Sequence, residues 1–372
     1  MVIGGGIAGV SAAARFAQRS ETILLERESA LGYHSSGRSA TFYHFGIGDD
    51  AVRGLTAASR HFFANPPGGE ELPPLWQTKS AMFFATSETM DQLTALETEM
   101  RRFTDSIEQV GPREMQAIVP ALKVGDGGAV AGLVDTGGRK LDADLLLQAN
   151  ARALRAADGE IYFHAGVTGI AHDGSDWIVD TAGESYAARI VVNAAGAWAD
   201  ELAAMAGVRP LGLIPLRRTI IGFDPPQGLD VSEWPFLKTV YDDGFYLLPD
   251  SGRLLASPMD VTPSPACDVP PEDYEMALAA WRVEEATTLS VDRIALKWAG
   301  LRSFVADKVP TAGFAADAPG FFWLAGQGGY GLQTSPAMAL AAEALLFDLP
   351  WPELLREHGV EPHQIRPERL HI

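Results

Sequence analysis

Short apolar runs alternate along this chain with stretches of small residues at helical spacing. Residues 1–26 set the pattern. Two apolar residues lead into Gly4, Gly6 and Gly9, and alanine, valine and phenylalanine then recur with helical period as far as Gln18. A second apolar run, 22–25, ends at Glu26. The spacing predicts strand, glycine turn, helix, strand. Residues 51–64 read as a helix, stopped by Pro66, Pro67, Gly68 and Gly69. Residues 81–85 read as a strand. Residues 88–103 read as a helix with Leu93, Leu96 and Met100 on one face and Ser87 as its cap. A short helix is predicted over 115–119, ended by Pro120, and a strand over 129–134.

Asp142 is placed to cap a helix over 143–157. Strands are predicted at 161–164 and 167–170, with a hairpin of 177–180 and 184–187. An apolar strand, 189–193, runs into Asn193-Ala-Ala-Gly196 and a helix through Met205. Three β-rich runs follow, 218–223, 245–248 and 253–257, then a helix over 274–287. The chain closes with an apolar strand, 321–325, a glycine-rich loop to Ser335, and a helix from Pro336. This order predicts an α/β (α+β) chain of two interleaved domains. A Rossmann-like nucleotide domain takes 1–75, 135–205 and 295–372. An antiparallel-sheet substrate domain takes 76–134 and 206–294.

The first turn carries specific chemistry. G-x-G-x-x-G after a strand and before a helix is a dinucleotide turn. Gly4 permits the tight turn, Gly6 lets the backbone approach a pyrophosphate, and Gly9 lets helix pack on strand. The helix N-terminus offers free N–H groups and a positive dipole end. Glu26 is placed to accept from ribose hydroxyls. Only three residues precede Gly4, shorter than the usual strand of about 5–6, so the native chain is expected to begin a few residues earlier.

The next stretch distinguishes the nucleotide. Residues 27–40 are rich in glycine and small hydroxyls, predicting a loop and then a short helix that approaches a flavin, with Ser36 and Ser39 as caps or ligand donors. The turn at Ala195 and Gly196 can return to the cofactor, and the loop at 326–335 is a second phosphate- or ring-approaching turn. Two such turns at opposite ends of a chain suit a cofactor as long as FAD.

Totals narrow the reading further. The chain has 372 residues, 47% hydrophobic and 21% charged, enough for two domains. Forty-eight acids against 29 bases give a net charge of −19, which disfavours nucleic acid and anionic membrane surfaces as partners. One cysteine, Cys267, excludes an internal disulfide framework. No signal peptide or transmembrane run is evident, and the cytoplasm is the expected location.

Five segments together carry a resemblance. They are Gly4-Gly-Gly6-Ile-Ala-Gly9, Gly32-Tyr-His-Ser-Ser-Gly37-Arg38-Ser-Ala40, Asn193-Ala-Ala-Gly196-Ala-Trp198, Trp298-Ala-Gly300-Leu-Arg302-Ser-Phe and Gln327-Gly-Gly-Tyr330-Gly331-Leu-Gln-Thr-Ser. The chain resembles the D-amino-acid oxidase superfamily of FAD proteins over almost its whole length, and within it the D-arginine dehydrogenase type. The resemblance implies noncovalent FAD, oxidation of a Cα–N bond, and release of an imine that hydrolyses in water. It implies cofactor contacts at Gly4, Gly6, Ile7, Ala8, Gly9, Glu26, Arg27, Ser35, Ser36, Arg38, Ser39 and Ala40. Further contacts are implied at Val167, Ala195, Gly196, Trp198, Gly300, Gly328, Gly329, Tyr330, Gly331, Leu332, Gln333 and Thr334. Arg302 and Arg218 should grip the substrate carboxylate, as guanidinium forks do. Tyr246 should add a hydroxyl or cover the same group, and Gly329 and Tyr330 should lie beside the flavin with a backbone carbonyl available to the amine.

The chain departs from the D-arginine type at Phe42, Ile47 and Ala81, where that type has a histidine, a lid tyrosine and a glutamate. His44 is the candidate substitute for the histidine, and an apolar amino acid is the expected substrate. Changes at Arg217, next to the clamp, are expected to matter little if its side chain points to solvent. The partners expected are a small-molecule amino acid and an electron acceptor, O₂ or a quinone. Two other readings remain: a 2-hydroxyacid dehydrogenase or sarcosine- or glycine-type oxidase on the same fold, and a non-catalytic FAD-binding protein.

Overall fold

The computed structural model describes residues 1–66 and 73–370. Helix Asp50–Ala64 ends at Asn65, ahead of Pro66; the stop expected at Pro67, Gly68 and Gly69 lies outside the described residues.

The first sheet has six strands. Across it lie Thr311–Phe314, Phe321–Ala325, Val191–Asn193, Val2–Ile3, Ile23–Leu25 and Glu160–Tyr162. All pairs are parallel except that of Thr311–Phe314 with Phe321–Ala325. Three of the predicted turns leave the carboxyl ends of its strands: Gly4 after Ile3, Ala194 after Asn193, and Gly326 after Ala325. That edge is where an open parallel sheet binds its ligand. Helix Ile7–Phe16 packs on helices Ala143–Ala156 and Gly331–Leu346, its alanines permitting close approach.

The second sheet has nine strands and is mostly antiparallel. Its path runs Thr262–Pro263, Ile214–Phe223, Arg253–Ser257, Tyr246–Asp250, Phe236–Thr239, Ala81–Ala85, Ala131–Asp135, Ile107–Val110, and Leu296–Phe304 also pairs with Ile214–Phe223. Side chains alternate between its faces. Phe83, Leu133, Ile220, Phe236, Tyr246 and Leu255 share a core with the nucleotide-side helices. Phe84, Val134, Ile221, Phe223, Leu237 and Leu247 pack with Met276, Ala279 and Val283 of helix Asp273–Ala286. The predicted hairpin is found as Trp177–Thr181 and Ser185–Ala188, paired with Val167–His172 in a small sheet.

Several expectations need correction. The helix after Ala85 starts as a 3₁₀ turn, Ser87–Thr89, and continues as Met90–Met100; Thr86, whose N–H donates to Thr89 Oγ1 at 3.0 Å, caps it rather than Ser87. Residues 31–38 run as successive turns with no helix, held by Gly37 N–H to Gly32 O at 2.8 Å. The last long helix begins at Gly331, not Pro336. Pro336 cannot bond back to Leu332, and the Ser335 hydroxyl takes that carbonyl instead, at 3.1 Å. Strand Phe236–Thr239 was not anticipated, nor was the full extent of strand Leu296–Phe304. The second, from a segment assigned to the nucleotide domain, pairs along its length with Ile214–Phe223. Among the described residues no helix is long and apolar enough to cross a membrane.

Candidate functional site

The glycine turn separates packing from ligand approach. A Cβ on Gly4 would lie 2.4 Å from Ala194 O, and one on Gly9 would lie 1.9 Å from Gly4 O. Those two glycines close the turn against its own backbone. A Cβ on Gly6 would meet nothing nearer than Ser36 Oγ at 3.4 Å. The protein leaves room at Gly6, as a pyrophosphate passing there requires. Ser36 Oγ accepts from Ile7 N–H at 2.9 Å. Glu26 braces the turn, accepting from Gly5 N–H at 2.6 Å and Glu28 N–H at 2.8 Å. Each of its oxygens keeps a further lone pair.

The second helix N-terminus meets the first. A Cβ on Gly331 would lie 3.6 Å from Ile7 Cγ2. Neither helix has an acid in its first turn or a side-chain cap at its own N-cap residue. Two positive dipole ends thus converge where a cofactor's negative groups would sit. Gln327 adds a buried Nε2 with no hydrogen-bond partner among the described residues. These features fit FAD.

The other predicted cofactor residues are tied to one another and to neighbouring strands. Ser35 Oγ donates to Leu301 O, and Trp298 Nε1 donates to Arg38 O at 3.1 Å. A Cβ on Gly300 would stand 3.4 Å from Arg38 Cβ. Ser39 Oγ accepts from Thr41 N–H at 3.2 Å, so it caps its own turn beside Ala40. The Arg27 guanidinium lies 4.0 Å over the Trp198 ring, and a Cβ on Gly166, before Val167, would lie 3.5 Å from Arg27 Cγ. Asn193 supports Ala195 and Gly196, accepting from Ala195 N–H and donating to Ala199 O at 2.8 Å. Gly196 takes φ +58°. Leu332, Gln333 and Thr334 fall in the first turn of the last helix, with Ala8 on the helix facing it. Gln333 is a tie between elements, accepting from His44 N–H and donating to Thr56 Oγ1 at 2.8 Å. Tyr330 is buried, its hydroxyl donating to Lys308 O; that burial raises its pKa.

The inner face of the nine-stranded sheet carries the polar chemistry. Arg218 opposes Gly300, and Arg302 opposes Leu216, two positions along the same pair of strands. Arg218 and Arg302 therefore share a face. Burial pushes the Arg302 pKa down to about 9, and repulsion from Arg218 adds to that. Arg302 Nε is buried with no hydrogen-bond partner among the described residues, and no ion pair there involves Arg302. Gly329 stands against it: a Cβ there would lie 2.8 Å from Arg302 Nη1. A Cβ on Gly328, at φ +53°, would lie 2.4 Å from Phe304 Cε1. Arg218 donates to Asp260 O at 3.0 Å and lies 6.0 Å over the Tyr246 ring. Its pKa is lowered by burial.

His44 is placed beside this face but not as a base. Its ring stacks on Phe236 at 5.2 Å, near Phe83 and Phe42. Burial, then the charges of Lys238 and Arg53, hold its pKa down to about 3. Nδ1 accepts from Gly46 N–H at 3.0 Å, which puts the proton on Nε2. His44 is thus a neutral, buried ring, and the catalytic role expected for it is not supported.

Sequence reasoning missed Lys238. It directly opposes Tyr246 in the sheet and so shares the face of the clamp. Burial brings its pKa down to about 8, with Asp242 opposing the shift and Arg218 and Arg302 adding to it. A lysine inside the apolar run 236–240 was the available signal.

Arg217 also departs from expectation. It is buried, not solvated, and pairs with Glu272 and, at 2.8 Å, with Glu275, with Asp260 at 4.0 Å. Strand alternation turns it away from the clamp, toward helix Asp273–Ala286. Arg217→Ala strands the buried Glu275 carboxylate and is expected to lower stability by about 3–5 kcal/mol. Urea unfolding checks this; a midpoint shift worth under about 1 kcal/mol would show that water substitutes for the guanidinium.

The comparisons with known proteins agree with this geometry. A model of the family described as "DAO: FAD dependent oxidoreductase" matches residues 1–345. Glycine oxidase of Geobacillus kaustophilus is 24% identical over 93% of this chain and 92% of its own. L-α-glycerophosphate oxidase of Mycoplasma pneumoniae, solved with FAD bound, superposes with a TM-score of 0.84 at 19% identity, covering 93% of this chain and 94% of its own. L-proline dehydrogenase of P. horikoshii superposes equally well, TM-score 0.84 at 20% identity, covering 100% and 96%. The resemblance to the superfamily is upheld, while the D-arginine type is finer than these relatives support. With the glycine turn, the paired helix N-termini and a match over most of its length, the chain belongs to the FAD-dependent oxidoreductases of the DAO family, and FAD is its cofactor.

Proposed function

We propose that this enzyme oxidises the Cα–N bond of a small α-amino acid, the D enantiomer where Cα is chiral. The observation that supports the reading best is the Arg302 guanidinium: enclosed, without a carboxylate partner among the described residues, and beside Arg218 and Tyr246 on one sheet face. A buried cation without an anion costs free energy. An α-carboxylate supplies the anion and the bidentate geometry a guanidinium selects.

Bound FAD supplies the hydride acceptor, and the amino acid loses a Cα hydride and an N–H proton to become an imine, which water converts to 2-oxo acid and ammonia. Arg302 and Arg218 hold the carboxylate in one orientation. Tyr246 covers it, and the backbone at Gly329, pressed against Arg302, faces the amine. The residues thus contribute orientation and charge. Neutral His44 does not take up the proton, which leaves to solvent. FAD would be held without a covalent link, and O₂ or a quinone would serve as the electron acceptor.

Anaerobic bleaching of the flavin spectrum tests this. Glycine or D-amino acids are expected to bleach it, and 2-hydroxyacids and glycerol phosphates are not. Bleaching by 2-hydroxyacids alone would move the reaction to a C–O bond. No bleaching by any α-carboxylate would remove the catalytic reading.

A further inference from the structure

Arg302, Arg218, Tyr246 and Lys238 share the inner face of the nine-stranded sheet. Two of the three cations suffice for one carboxylate. Lys238 sits on the far side of Tyr246 from the arginines, one strand further, at a neighbouring-strand spacing of roughly 4.8 Å. Its ammonium donates to the carbonyl of its own neighbour Thr239 at 3.0 Å and forms no ion pair among the described residues. Around it on this face stand Phe83, directly opposite in the parallel partner strand, and Phe236, stacked near Tyr246 and His44. None of these carries negative charge. Asp260 serves Arg218, Arg217 and Thr219, and Asp242 is exposed on the following loop.

We propose that Lys238 is the residue that selects the substrate side chain, and that it does so by pairing with a second carboxylate. The favoured substrate is then an amino dicarboxylate, not the apolar amino acid expected from Phe42, Ile47 and Ala81. The aromatic wall of Phe42 and Phe236, 4.9 Å apart, encloses the carbon chain between the two carboxylates. Lys238 offers a point charge with three donors, suited to a terminal carboxylate that the planar forks of the clamp do not reach. The chemistry at Cα is unchanged. This inference rests on the proposed carboxylate clamp at Arg302 and Arg218.

Acid and amide pairs of the same shape read Lys238 directly. For holoenzyme, kcat/KM with D-aspartate is compared with D-asparagine, and D-glutamate with D-glutamine. The wild type is expected to favour the acid at least tenfold. Lys238→Met is expected to bring the ratio near one, chiefly through the KM of the acid. Lys238→Arg should restore part of the preference. A merely structural lysine would change acid and amide alike.

A second measurement stands apart from turnover. Succinate and its monoamide, succinamate, are titrated against the flavin absorption spectrum. Tighter binding of succinate in the wild type, equalised in Lys238→Met, supports the proposal even if amine oxidation is not the reaction. Equal binding of the two by wild type, or a preference that survives Lys238→Met, overturns it. Loss of turnover with the succinate preference intact would instead indict the amine-oxidation reading alone.

Discussion

Arg302→Met is expected to cut kcat/KM for every α-carboxylate substrate by roughly ten- to a hundredfold or more, with FAD content unchanged. Hydrogen bonds to a charged group contribute roughly 1.5–3 kcal/mol each, and every 1.4 kcal/mol is about a factor of ten. Arg302 has no other visible occupation: its Nε is unpartnered among the described residues and its charge is repelled by Arg218. Stability should move the other way. Methionine removes a buried cation whose burial outweighs the attraction of Asp260 and which has no ion-pair partner among the described residues, so Tm is expected to hold or rise. Arg302→Lys should recover only part of the activity, because an ammonium cannot make a bidentate contact. Kinetics on one substrate series, with thermal unfolding of the same samples, check both halves. Full activity in Arg302→Met would place the substrate carboxylate elsewhere; a large fall in Tm would make Arg302 a structural residue.

The cofactor half of the molecule was legible because its signals are local. A glycine needed for backbone approach is a property of one residue and its φ, so Gly4, Gly6 and Gly9 could be assigned from spacing alone. The substrate half depends on register, which is not local. Arg217 and Arg218 are adjacent, and only the alternation of strand Ile214–Phe223 against Leu296–Phe304 decides which faces the cofactor side. One faces Glu272 and Glu275 and the other faces Tyr246. Lys238 was hidden for the same reason. Pro235 and a lysine break the apolar run, so strand Phe236–Thr239 does not announce itself, and its pairing with Tyr246–Asp250 gives Lys238 its place. The last helix was misread at its start because Gln333, Thr334 and Ser335 look like a polar loop. In the structure Thr334 Oγ1 donates to Tyr330 O at 2.9 Å and Ser335 to Leu332 O, so these hydroxyls are satisfied within the helix.

Two glycines of one turn should fail in different ways. Gly6 has φ −71° and ψ 176°, an extended conformation that any residue adopts, and nothing of the protein lies within 3.4 Å of its Cβ position. Gly6→Val should therefore fold with an apoprotein Tm close to that of wild-type apoprotein. Its side chain occupies the space left for the pyrophosphate, so the purified protein is expected to be colourless, and added FAD should no longer raise its Tm. Gly9 has no such room. A Cβ there lies 1.9 Å from Gly4 O and 3.2 Å from Ala194 Cβ, both held by the strands they end. Gly9→Ala must push helix Ile7–Phe16 off the sheet, an overpacking penalty of about 1–3 kcal/mol or more. Its apoprotein Tm should fall, with FAD retention falling alongside it. Flavin absorbance after desalting and thermal unfolding of both apoproteins, with and without added FAD, separate the two. A yellow Gly6→Val protein would mean that the phosphates do not pass over Gly6, and an unperturbed Gly9→Ala apoprotein would mean that this turn is looser than its contacts indicate.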